Sequence, residues 1–239
     1  MIANQTYSSI SHPISSLETN WSLIEAAAQA DPDARDVFAR RYIGPIRTYL
    51  SARWRNSSYI RYLDDAVQEV FLDCFRTGGP LERFDGINSS GFRAYLYGIV
   101  RITARKVESR VCAQKRISQG SNPALEEIQV DESSLSTIYN RSWALCMIQQ
   151  ATQRQLDKAT TRGGTALRRV ELLQLRFKEG LPIREIASRW NVDSRTLHHE
   201  YARARAEFKA NLLEVIAFHH PGAPAEVERE CKELADLLR

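Results

Sequence analysis

Residues 194–205 carry side chains that can read or grip nucleic acid. Ser194, Arg195, Thr196, His198 and His199 fall at the start of a helical pattern, and Arg203 and Arg205 follow. Arginine can pair with a guanine edge, and hydroxyl or imidazole groups reach base edges in the major groove. A helix N-terminus also favours a phosphate. The chain shows no phosphate loop, metal-ligand set or nucleophile–base pair. The expected chemistry is therefore binding: not an enzyme, with no catalytic residue, no cofactor and no metal. His198 and His199 lack partners at ligand spacing. His219, His220 and Cys231 match no structural zinc spacing either.

Placing those cations takes two short helices and a tight turn. The segment 181–208 reads LPIREIASRWNVDSRTLHHEYARARAEF. Ile183, Ile186, Ala187 and Trp190 form one apolar face. Asn191 stands where the first helix must end in a left-handed residue, which Asn tolerates. Val192 plugs the corner and Asp193 caps the next helix. Leu197, Tyr201, Ala204 and Phe208 turn the second helix's apolar side to the core. This is the pattern of a DNA-binding helix-turn-helix.

A second basic surface lies upstream. Residues 92–116 hold Arg93, Arg101, Arg105, Lys106, Arg110, Lys115 and Arg116 against Glu108 alone, a net +6 in a chain whose total is +4. With Tyr97 interleaved, this face suits nucleic-acid backbone contact and base stacking. The preceding helix is its complement. Leu63, Ala66, Val67, Val70, Phe71, Cys74 and Phe75 follow helical spacing, and Asp64, Asp65, Gln68, Glu69 and Asp73 face away. Such an acidic face repels DNA and fits a basic protein surface.

The remaining elements follow from local signals. Residues 1–20 read as a flexible lead. Ser22 and Glu25 form a capping box for a short helix to Ala30. Asp31-Pro32 starts a helix to about Arg55, with Pro45 as a candidate kink. Gly78-Gly79-Pro80 ends the acidic helix, and a loop to about Ser90 follows. The next helix is expected to place Phe92, Tyr95, Leu96, Ile99 and Ile102 on one face. Residues 118–140 carry Glu126, Glu127, Asp131 and Glu132 without Lys or Arg, and read as a solvated linker. Helices are expected at 138–159, 166–179, 182–190, 194–216 and 225–238. The fold class is all-α: two small helical domains joined by a flexible acidic linker, the second a helix-turn-helix domain. The boundaries are a lead at 1–20, a first domain at 21–116, a linker at 117–137, a second domain at 138–216 and a tail at 217–239.

The chain has 239 residues, 43% apolar and 26% charged, as in ordinary globular proteins. No stretch approaches the roughly 18–20 apolar residues of a membrane span. No signal pattern opens the chain, so a cytoplasmic location without membrane contact is expected. Cys74, Cys112, Cys146 and Cys231 are far apart and read as reduced thiols.

Taken in order, these segments resemble bacterial RNA polymerase sigma factors of the extracytoplasmic-function type. DDAVQEVF at 64–71 is similar to that family's polymerase-binding helix. GFRAYLYGIVR at 91–101 is similar to the element that melts and reads the −10 promoter DNA. Residues 166–208 are similar to the region that reads the −35 element, and 20–42 to the family's opening. The resemblance covers roughly 20–216. It implies that Asp65, Gln68 and Glu69 bind the clamp helices of the polymerase's largest subunit. It implies that the loop 83–91, with Asn88, captures a flipped −10 base. Arg93, Tyr97, Arg101, Arg105 and Lys106 would hold the melted strand or flanking duplex. Arg195, Thr196, His198 and His199 would read −35 bases, and Arg203 and Arg205 would grip phosphates. The family often has Trp, Asn and Asp where Tyr95, Ile102 and Lys106 stand. The implied partners are core RNA polymerase and promoter DNA, with control by an anti-sigma protein or by the chain's own tail. Two other readings stay open on the residues alone: an operator-binding helix-turn-helix regulator, and a DNA recombinase carrying such a domain.

Overall fold

The computed structural model describes residues 20–84, 91–119, 131–219 and 224–238. Helix α1 spans Asn20–Ala28 and α2 spans Pro32–Trp54; a 3-10 turn at Ser58–Tyr62 leads into α3, Leu63–Phe75. Then come α4 (Pro80–Arg83), α5 (Gly91–Gln119), α6 (Glu132–Arg162), α7 (Gly164–Phe177), α8 (Ile183–Trp190), α9 (Ser194–Ala217) and α10 (Pro224–Asp236). Among the described residues there is no strand, and no helix is long and apolar enough to cross a membrane.

Local chemistry sets most of these ends. The Asp31 carboxylate accepts the Ala34 amide at 2.7 Å, and Pro32 sits at the first position of α2. Helix α2 runs on through Pro45, which is buried. Proline cannot donate to the carbonyl four residues back, and that Arg41 carbonyl instead accepts the Cys146 thiol at 3.0 Å. Gly163, at φ 87°, separates α6 from α7 in a conformation that glycine adopts without strain.

Four expectations change. Ser22 lies inside α1, whose start is Asn20, so it is not an N-cap. The stretch expected as loop after Pro80 opens with the one-turn α4. Ile102 points outward and is 57% exposed, because the buried face of α5 runs through Leu96, Val100, Ala104 and Val107 instead. Helix α6 begins at Glu132 rather than Ile138: Asp131 caps it, and Leu135 and Tyr139 are buried, so 132–140 is not solvated linker.

The main core joins α1–α5 to the first half of α6, the end of α9 and α10. Aromatic rings dominate it: Tyr42 stacks on Trp143 at 5.5 Å and meets Phe92 at 5.4 Å. A second, smaller core unites α7, α8 and α9.

His219, just past α9, is fully enclosed in the main core. Its Nδ1–H donates to the Val215 carbonyl at 2.8 Å, so Nε2 accepts the Tyr42 hydroxyl at 2.7 Å. Both ring nitrogens are thereby committed, which leaves neither for a metal, while His220 lies outside the described residues. Burial pushes the His219 pKa down to about 3. Its ring stays neutral in the fold, and the unfolded chain takes the proton first as pH falls below about 6.5. Stability should therefore drop by about 2 kcal/mol between pH 7 and pH 5 through this group. Urea titrations of His219→Gln should lack that component. The same acid sensitivity in both chains would remove His219 from the account.

Candidate nucleic-acid interface

The turn between α8 and α9 forms as its residues require. Asn191 adopts φ 50°, ψ 49°, and its amide bonds the last turn of α8. Asp193 accepts the Thr196 amide at 2.8 Å and its hydroxyl at 3.1 Å. Those bonds hold the Asp193 carboxyl below the usual carboxylate range. Ile186, Ala187 and Leu197 are buried at the crossing of the two helices. Arg169 of α7 fastens α9 from behind, bonding Glu200 at 2.8 Å and Glu207 at 2.7 Å. The pairing lowers the Glu200 pKa and masks an acid beside the basic tip.

Arg195, Thr196, His198, His199, Arg203 and Arg205 are all exposed. Thr196 has its hydroxyl tied to the cap. Arg203 bonds Glu200 at 3.2 Å, and Arg205 lies 5.7 Å from the centre of the Tyr201 ring. Arg195, His198 and His199 thus share the open start of α9.

Helix α5 carries the other basic surface. Its single acid, Glu108, turns inward and accepts from Arg53 at 2.6 Å and Trp54 at 2.7 Å. The outward face keeps its cations as a result. Arg105 is exposed, Arg101 and Tyr97 are half-buried, and Arg93 is only 19% exposed. Lys106 is held by Asp73 of α3 at 2.7 Å. Asn88 lies outside the described residues. Tyr95 stacks on Phe84 at 4.6 Å and donates to the Pro80 carbonyl at 2.6 Å.

The acidic face of α3 divides in two. Asp73 and Glu69 are stapled to α5, Glu69 through Arg110 at 2.8 Å. Asp64 meets Arg47 of α2 at 2.6 Å. Asp65 and Gln68 stand exposed beside Leu72, an apolar side chain 70% open to solvent. Leu72 and the Arg53–Glu108 pair were not singled out from the sequence. The outward position of Leu72 was legible in the helical spacing of α3; the Arg53–Glu108 pair, 55 residues apart, left no local signal.

Comparison with protein families matches residues 19–214 to the ECF sigma factor family. No curated protein matches the chain. The match takes in the acidic face of α3, the basic face of α5 and the helix-turn-helix in one continuous span. The chain therefore belongs to the ECF sigma factor family and directs transcription initiation by binding core RNA polymerase and promoter DNA.

Proposed function

We propose a division of labour among three surfaces. Asp65, Gln68 and Glu69 of α3 dock on the clamp helices of the polymerase's largest subunit. Tyr97, Arg101 and Arg105, with Arg93 and Lys106, hold −10 DNA on α5. Arg195, Thr196, His198 and His199 read the −35 element from α9, while Arg203 and Arg205 grip phosphates. Binding energy alone opens the promoter, in the cytoplasm where core polymerase works. The observation that carries this reading is the separation of charge by helix. Exposed carboxylate and apolar groups sit together on α3, and exposed cations gather on α5 and at the tip of α9.

The −35 assignment is tested on promoter-variant libraries with reconstituted polymerase. Arg195→Ala should cost about 1–3 kcal/mol and relax preference at one base pair, as loss of a bidentate base contact does. Arg205→Ala should weaken all variants alike and reduce the salt slope by about one unit. Uniform loss with Arg195→Ala would make that residue a phosphate contact instead.

A further inference from the structure

Helix α9 carries a carboxylate among the cations assigned to −35 DNA. Glu200 lies one turn after Thr196 and one turn before Arg203. A carboxylate at that place opposes the phosphates that the neighbouring cations attract. Arginines from two helices converge on it. Arg169 of α7 donates from Nε to one Glu200 oxygen at 2.8 Å. Arg203 of α9 donates to the other oxygen at 3.2 Å.

The two contacts are unequal. The Arg169 side chain is 18% exposed, and Glu207 fixes its far end at 2.7 Å. A partly buried pair is little screened by salt. The Arg203 side chain is 68% exposed, and its contact joins residues three apart on one helix surface. Such a pair holds only about 0–1 kcal/mol, so a phosphate can replace it. Beside Glu200 lies a cleft of about 610 Å³ between α7 and the start of α9, lined also by Thr165, Arg168, Arg169, Trp190 and Thr196. The Arg168 guanidinium there lies 4.7 Å from the centre of the Trp190 ring. A chain without the Arg169 guanidinium would leave Glu200 facing that open space on one side and Arg203 on the other.

Resting on the assignment of Arg203 to DNA phosphates, we propose that Arg169 is a positioning residue for −35 binding. It holds Glu200 against α7 and so leaves Arg203 free to exchange its weak contact for a phosphate. Without Arg169, Glu200 closes onto Arg203, the two charges cancel, and α9 loses one phosphate contact. Arg169 acts on DNA through Glu200, not by touching it.

The test measures retention of the promoter-variant library by the full chain with core polymerase, across a salt series. Arg169→Gln should bind all variants at least fivefold more weakly, with a salt slope smaller by about one unit. Adding Glu200→Gln should restore both the affinity and the slope, whereas adding Glu207→Gln should not. Adding Arg203→Ala to Arg169→Gln should cost less than a further twofold. A brace that merely supports the fold would lower the urea midpoint and gain nothing from Glu200→Gln. An unchanged slope in Arg169→Gln, or a loss that Glu200→Gln leaves in place, overturns the proposal. Should Arg169→Gln fail to fold, Glu200→Gln alone decides: a carboxylate already masked predicts a change under twofold, and a larger change rejects the masking. Arg203→Ala in the otherwise unmodified chain separates the two failures. If it lowers the slope while Arg169→Gln does not, Arg203 stays a phosphate contact and only the role of Arg169 falls. If it leaves the slope unchanged, the phosphate assignment and the role of Arg169 fall together.

Discussion

Core polymerase should no longer co-purify with a chain carrying Asp65→Arg and Glu69→Arg. Asp65 is exposed, and Glu69 is half-buried with Arg110 2.8 Å away. Exposed ion pairs contribute only about 0–1 kcal/mol, so the fold should survive with a small loss in urea midpoint. A docking surface behaves differently. Placing like charges across an interface costs several kcal/mol, and two reversals should reduce association by at least a hundredfold. Leu72 beside them supplies apolar area, and Leu72→Asp should act in the same direction. Undiminished co-purification of the doubly reversed chain, with its circular dichroism intact, would remove α3 as the polymerase contact.

The second large effect lies inside the fold. Glu108→Ala should destabilise the chain by about 3–5 kcal/mol, because it strands Arg53. The Arg53 side chain is 7% exposed and that of Glu108 is 15% exposed. Two guanidinium nitrogens and the Trp54 indole N–H converge on the one carboxylate. Among the described residues, removing it leaves a buried cation with Glu132 at 3.3 Å and the Tyr49 hydroxyl at 3.4 Å. The double variant Arg53→Met/Glu108→Leu should recover much of the loss, since an apolar pair of similar volume avoids the desolvation cost. Chemical denaturation of the three chains measures both effects. A loss below about 1 kcal/mol in Glu108→Ala would show that the pair is not a buried anchor between α2 and α5.

The helix-turn-helix was legible because its signals are local. Asn191, Asp193 and the Ile186–Leu197 crossing lie within a dozen residues, and each dictates a backbone state or a burial that needs no distant partner. The acidic face of α3 was legible for the same reason. The start of α6 was hidden by composition. Asp131 and Glu132 read as part of a solvated acidic run, although Leu135, Tyr139 and Trp143 repeat every fourth residue and mark a buried stripe. Glu132 acts as a helix-terminal acid whose partners lie on α2 and α5, so its own neighbours carry no trace of its role. His219 is the extreme case: its hydroxyl partner, Tyr42, is 177 residues away. Glu108 counted against the basic face in the sequence and, turned inward onto Arg53, does not diminish it in the fold.

Transcription reconstituted from core polymerase, genomic DNA and this chain, with start sites mapped across all transcripts, bears most directly on the three-surface scheme. The scheme predicts new start sites only when the chain is present, each preceded by two conserved blocks near −10 and −35. Substitutions on α5 should alter preference in the first block alone, and substitutions at Arg195 or His198 in the second alone. New start sites without paired blocks, or a chain that binds one palindromic site without polymerase, would contradict it.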